Sequence, residues 1–132
     1  MGTRSFVGVM VGSKCRAVYV HWDGYLEGVG AELQGYTTQE EVLELVAGGD
    51  MSSLGDYYKN RGDSGTAPKE FNSFDEFYDY VKESWAEYYY IFKDGVWYCG
   101  DTYGGTPISK KLVPYAEALR LMDESKDEEF AE

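Results

Sequence analysis

The chain opens on two apolar runs that alternate like strands. Ser5 to Val11 is β-branched and aromatic, and the Gly12-Ser13 pair behind it predicts a turn. From Lys14 to Trp22 one face holds Lys14, Arg16, Val18, Val20 and Trp22, and the other holds Cys15, Ala17, Tyr19 and His21. Two such runs joined by two residues predict an antiparallel hairpin, with Gly8 marking a bulge or a close approach of another backbone. After Asp23-Gly24 the period changes to Tyr25, Val29 and Leu33, a short helix stopped near Gly35. Gly28 and Gly30 weaken that helix by ~1 kcal/mol each relative to Ala. Thr38 with Glu41, or Thr37 with Glu40, forms a capping-box pattern ahead of Val42, Leu43, Leu45 and Val46, and Gly48-Gly49 closes this second helix.

Residues 50–69 are rich in Gly, Ser, Asp and Asn and predict a surface loop. The loop includes Arg61-Gly62-Asp63-Ser64, a tetrapeptide that integrins recognise and that reads here as a chance occurrence. Ser73 with Glu76 is a second capping box, and Phe74, Phe77, Val81, Trp85 and Tyr88 follow at helical spacing as the expected core face. Beside that face Asp75, Asp79, Glu83 and Glu87 recur every fourth residue, which is ~6 Å of axial rise per step. Tyr88 to Phe92 and Val96 to Cys99 flank Lys93-Asp94-Gly95 and predict a second hairpin. Residues 101–107 are Gly-rich, and a last helix is expected from Leu112 to about Lys126 with Pro114 in its first turn.

Hairpin, helices, loop, helix, hairpin, helix is an α+β order. It predicts a single antiparallel sheet of about four strands, from two hairpins, packed against three to four helices covering one face. The 132 residues suit one globular domain over 1–122, followed by a frayed tail over 123–132 in which six of ten residues are acidic.

Composition sharpens this picture at two points. Aromatics reach 17 %, with 13 Tyr, which suits either a wet core edge or a binding surface. A net charge of −12 argues against direct nucleic-acid binding and favours a partner with a basic surface. Cys15 and Cys99 stand far apart with a single His in the chain, so no zinc site and no cofactor is expected, and both read as buried reduced thiols. The first residues lack a signal-peptide pattern, and Phe6 stands where a myristoylation signal wants Ser or Thr. No apolar run approaches the ~20 residues of a membrane span. The expectation is a protein without membrane contact.

Three constellations invite chemistry. His21 with Asp23 has the form of a base and its orienting carboxylate, but no nucleophile accompanies them. Cys15 lies ~20 Å away along the strand, so no enzyme is expected. A strand-end His beside an Asp-Gly turn is the plainer reading. His21, Trp22, Tyr25 and Tyr103 group aromatic and polar character suited to holding a nucleotide-like signal molecule, while Gly104-Gly105 lacks the lysine of a phosphate loop. The row Asp75, Asp79, Glu83 and Glu87 approximates the spacing of phosphates along a nucleic-acid strand, and is otherwise the solvated face of an amphipathic helix.

Gly2-Thr3-Arg4-Ser5, the box His21-Trp22-Asp23-Gly24-Tyr25 and Gly49-Asp50-Met51-Ser52-Ser53-Leu54 resemble a family of small tailed-bacteriophage proteins that open on G-T-R-S and carry an H-W-D-G-Y box. Phe71-Asn72-Ser73-Phe74 and the segment from Tyr90 to Tyr98 also fit it. The resemblance implies a phage origin and the host bacterial cytoplasm. It carries no activity with it. Together with the charge it leads to the expectation of a non-enzymatic inhibitor of a host or anti-phage defence protein. The small-ligand binder stands as the alternative, and a homodimer through the aromatic hairpin Tyr88 to Cys99 is a further arrangement.

Overall fold

A computed structural model describes residues 3–21, 24–50, 67–102 and 112–121. Trp22, Asp23, Tyr103, the Arg61 to Ser64 tetrapeptide, Gly104-Gly105 and the acidic tail lie outside these residues. The described strands are β1 (Ser5–Val11), β2 (Lys14–Val20), β3 (Lys69–Phe71), β4 (Tyr88–Lys93), β5 (Val96–Asp101) and β6 (Val113–Pro114). Helix α1 is a π-helical turn, Leu26–Gly30, continued by an α-helical turn, Ala31–Leu33. Helices α2 (Gln39–Ala47) and α3 (Phe74–Glu83) follow, and α4 spans 115–121.

Both predicted hairpins form, with tight two-residue turns. Gly12 alone has positive φ between Val11 and Lys14, as a type II′ turn requires. Asp94 and Gly95 are both at positive φ between Lys93 and Val96, the type I′ pattern whose twist matches the strands. The β1–β2 register runs without interruption through Gly8, so Gly8 is no bulge. A methyl there would stand 3.2 Å from the Arg16 carbonyl oxygen and 3.0 Å from Ile91.

The sheet departs from expectation in size and direction. It has six strands in the order β3-β2-β1-β4-β5-β6, and β1 and β4 run parallel, so it is mixed rather than antiparallel. β3 begins at the last residue of the predicted loop, where no strand was expected, and β6 uses Val113-Pro114, expected in the first helical turn. Proline has no N–H to give a ladder, which an edge strand such as β6 tolerates. Because β3 is antiparallel to β2, it runs in the same direction as β4. Helix α3 is therefore a crossover spanning β2 and β1, which turns pairing rules built on hairpins cannot foresee.

Helices cover both faces, not one. On the first, Val7, Val9, Val18, Val20, Tyr90, Phe92, Trp97 and Cys99 meet Leu26, Val29 and Leu33 of α1, Val42, Leu45 and Val46 of α2, and Ala118 of α4. On the second, Phe6, Cys15, Ala17, Tyr89 and Ile91 meet Phe77 and Val81 of α3. Here much of the aromatic excess is spent. Phe6, Tyr19, Phe71, Phe74, Phe77, Tyr78, Tyr80 and Tyr89 form a continuous set of edge-on and tilted rings with centroids 5.3–6.4 Å apart. The hairpin Tyr88 to Cys99 lies inside the sheet, with β1 along β4 and the short β6 pairing with Tyr98 and Cys99 of β5.

Candidate partner-binding surface

Helix α3 starts at the predicted N-cap, with the Ser73 half of the expected capping box formed and no return bond from the Ser73 N–H to the Glu76 carboxylate. Ser73 is extended and its hydroxyl accepts the Glu76 N–H at 3.2 Å, while Asp75 and Glu76 face the positive end of the helix dipole. Phe77 and Val81 are buried, so Asp75, Asp79 and Glu83 fall on the outer side. All three are exposed, and none is ion-paired to a described residue. Helix α3 carries four carboxylates against Lys82 alone.

The row ends one residue earlier than expected. Ser84 caps the helix, its hydroxyl donating to the Tyr80 carbonyl at 2.7 Å, and Trp85 turns the chain at φ 65°. The Trp85 N–H bonds the Lys82 carbonyl at 3.3 Å, and Ala86 is buried in the same cluster as Val81, the contact of a Schellman-type close. Glu87 thus leaves the helix. It is half-buried, its N–H donating to the Arg4 carbonyl at 2.9 Å and its carbonyl accepting the Thr102 N–H at 3.1 Å. Trp85, expected in the core, is 82 % exposed. A bulky side chain at positive φ carries about 1–3 kcal/mol of backbone strain. With neither Gly nor Pro after Ser84, the sequence offers no stop signal, and helical spacing alone put Trp85 inward.

The ligand group suggested by the sequence is only partly described. His21 is exposed, and its ring packs edge-on to Tyr19 at 4.9 Å on the α3 side of the sheet. Burial raises the Tyr19 hydroxyl above its ordinary pKa, with Arg4 opposing and Glu87 and Asp50 adding to the rise. The Tyr19 N–H, beyond the reach of short β3, donates to the Asp50 carboxylate at 2.9 Å. Tyr25 is 39 % exposed and opens α1, which packs on the opposite face.

Gly24 shows what the box does for the fold. Its N–H donates to the Thr3 carbonyl at 2.8 Å, and its carbonyl accepts the buried Tyr90 hydroxyl at 2.6 Å. A methyl on Gly24 would stand 2.8 Å from the Thr3 oxygen. The Tyr115 hydroxyl donates to the Leu26 carbonyl at 2.9 Å, so two tyrosines pin the entry to α1. Gly30 lets both rings approach, since a methyl there would meet Tyr115 at 2.7 Å and Tyr90 at 3.1 Å.

Other chemistry is sparse among the described residues. No group of three or more His, Cys, Asp or Glu is placed to hold a metal ion, and no helix is long and apolar enough to cross a membrane. Cys15 and Cys99 are free and buried, and burial pushes each thiol up to about 12, with Asp101 adding to the rise at Cys99. Shallow grooves of about 240 Å³ beside Tyr36, Trp97 and Tyr115, and of about 320 Å³ beside Cys15, Arg16 and Leu43, lie near the lower end of small-molecule sites. Sequence reasoning had not singled out the groove beside Trp97. Its wall is set by the Trp97 indole N–H donating to the Tyr36 carbonyl at 2.9 Å, a contact 61 residues apart in the chain.

Comparison with protein-family models, with curated proteins and with solved structures finds no match to this chain.

Proposed function

We propose that the protein is a non-enzymatic, phage-encoded binder that inhibits a host or anti-phage defence protein in the bacterial cytoplasm. It does so by laying the outer face of α3 on a basic surface that otherwise holds nucleic acid. The observation that carries the reading is the row Asp75, Asp79 and Glu83, exposed and free of ion pairs with described residues on a rigid, well-capped helix. Eight residues of helix separate the first from the last, ~12 Å, the reach of only a few phosphates. Glu87 no longer extends the row, so the electrostatic footprint is short. Cys15 and Cys99 are buried, and burial keeps their thiols protonated at neutral pH, so neither offers a thiolate nucleophile.

The test is affinity capture from an infected host with the wild-type chain and the triple variant Asp75→Lys, Asp79→Lys, Glu83→Lys. A partner held by the wild type at low salt, released as salt rises and absent from the variant, supports the reading. Capture that survives the reversal overturns it. The alternative, a nucleotide-like ligand held near His21, Trp22, Tyr25 and Tyr103, replaces it if a nucleotide raises the melting temperature and His21→Ala removes that rise.

A further inference from the structure

Three carboxylates spaced along one helix attract any cation and discriminate poorly. The same end of α3 carries a second feature. Trp85 is 82 % exposed, well beyond Val11, Val96 and Tyr25, the other large hydrophobic side chains exposed among the described residues. It occupies the C′ position of α3 at φ 65°, where glycine is the favoured residue, and the core takes Ala86 instead. The indole serves neither the packing of the sheet nor the closure of the helix. It follows Glu83 by two residues on the chain, and the exposed side chains of the last helical turn are Lys82 and Glu83.

We infer that Trp85 is the anchor of the acidic surface and that its ring reads an arginine of the partner. The inference rests on the acidic-face reading above and gives it a contact chemistry. The occupant follows from charge and shape. An indole has the strongest cation-binding face among the aromatic side chains, and a guanidinium is planar, weakly hydrated and stacks on it. Glu83 and Asp79 then receive the guanidinium N–H groups, as carboxylates do. A surface built to hold a phosphate backbone is rich in arginine. An exposed tryptophan ringed by near-neutral contacts is also the common form of an interface hot spot.

Two peptides of equal charge test this, acetyl-(Arg-Gly)6-amide and acetyl-(Lys-Gly)6-amide, titrated into the folded protein at low salt. Binding is followed by NMR of the indole N–H resonances, that of Trp85 being the one missing from a Trp85→Gly variant. The arginine peptide is expected to shift the Trp85 resonance and to bind roughly two- to fivefold more tightly than the lysine peptide. Trp85→Gly and Trp85→Leu should both lose that preference, Trp85→Phe should keep part of it, and all three should melt cooperatively. Trp85→Leu binding like the wild type overturns the inference, because apolar area alone then suffices. Trp85→Gly retaining the arginine preference overturns it as well, and if Asp79→Lys with Glu83→Lys still abolishes binding, the acidic-face reading stands without it. Loss of the preference in Trp85→Gly, with binding unchanged in the charge reversals, overturns both, because Glu83 and Asp79 then hold no part of the guanidinium.

Discussion

At the level of single residues the entry to α1 is where small changes cost most. The Tyr90 hydroxyl is the described partner of the Gly24 carbonyl, in a site where Tyr90 is 1 % exposed. Tyr90→Phe leaves that buried acceptor unpaired and should cost about 1–3 kcal/mol in denaturant titration, with an unchanged m-value. Tyr115→Phe, at a half-buried site that water can reach, should cost less. The thiols give a second prediction. Because burial penalises the thiolate, Cys15 and Cys99 should ignore a soluble disulfide reagent at pH 8 until the chain unfolds. Their folded pKa is raised from the ordinary 9.0 to about 12, so their contribution to stability is complete below pH 9. It is lost as pH rises toward 12, where unfolded thiols ionise and buried ones resist. Melting temperature against pH, compared with a Cys15→Ala, Cys99→Ala variant, measures that loss; labelling of the native protein as fast as of a free thiol would contradict the buried placement.

At the level of elements, the end of α3 sets stability against binding. Trp85→Gly removes a bulky residue from positive φ at a position that buries nothing, so it should leave the protein as stable or raise its stability by up to about 1 kcal/mol. A thermal melt decides, and a fall of several degrees would mean that Trp85 packs somewhere the fold needs it. This same site marks the limit of what the chain discloses by pattern. Capping and turn chemistry is local and was readable: Thr38 accepts the Glu41 N–H at 3.2 Å while the Glu41 carboxylate accepts the Thr38 N–H at 3.2 Å, and Asp94-Gly95 makes its type I′ turn. The Glu41 carboxylate also accepts the Thr37 N–H at 3.1 Å, and that bond, followed by those from the Thr38 hydroxyl and N–H, holds its carboxyl below the usual pKa. Helix periodicity, by contrast, carries no record of where the helix stops unless Gly or Pro says so, and Ser84 does not. The pairing of β1 with β4 joins residues more than eighty apart, and only the unbroken burial of Phe6 to Val9 and Tyr89 to Phe92 hints at central strands. The row Asp75, Asp79 and Glu83 was legible because it is a property of one helix; the loss of Glu87 and the exposure of Trp85 were not, because both depend on that stop.

At the level of the whole molecule, charge pulls folding and binding in opposite directions. A net charge of −12 on 132 residues means that the compact state works against its own repulsion. Among the described residues the one side-chain salt bridge is Arg120 with Glu117, 3.6 Å apart and exposed, too weak to offset that repulsion. Added sodium chloride shortens the screening length from about 30 Å at 0.01 M to about 8 Å at 0.15 M, which relieves repulsion between carboxylates spread over the surface. The melting temperature should therefore rise over that range. A partner held by the outer face of α3 experiences the same screening with the other sign, so its dissociation constant should rise over the same range. The triple reversal Asp75→Lys, Asp79→Lys, Glu83→Lys takes the net charge from −12 to −6, so its melting temperature should respond less to salt even as binding disappears. Calorimetric melts and binding isotherms at matched ionic strengths read both trends on one sample. Stability that rises with salt while affinity stays flat would place the contact on the exposed Trp85 ring rather than on the carboxylates.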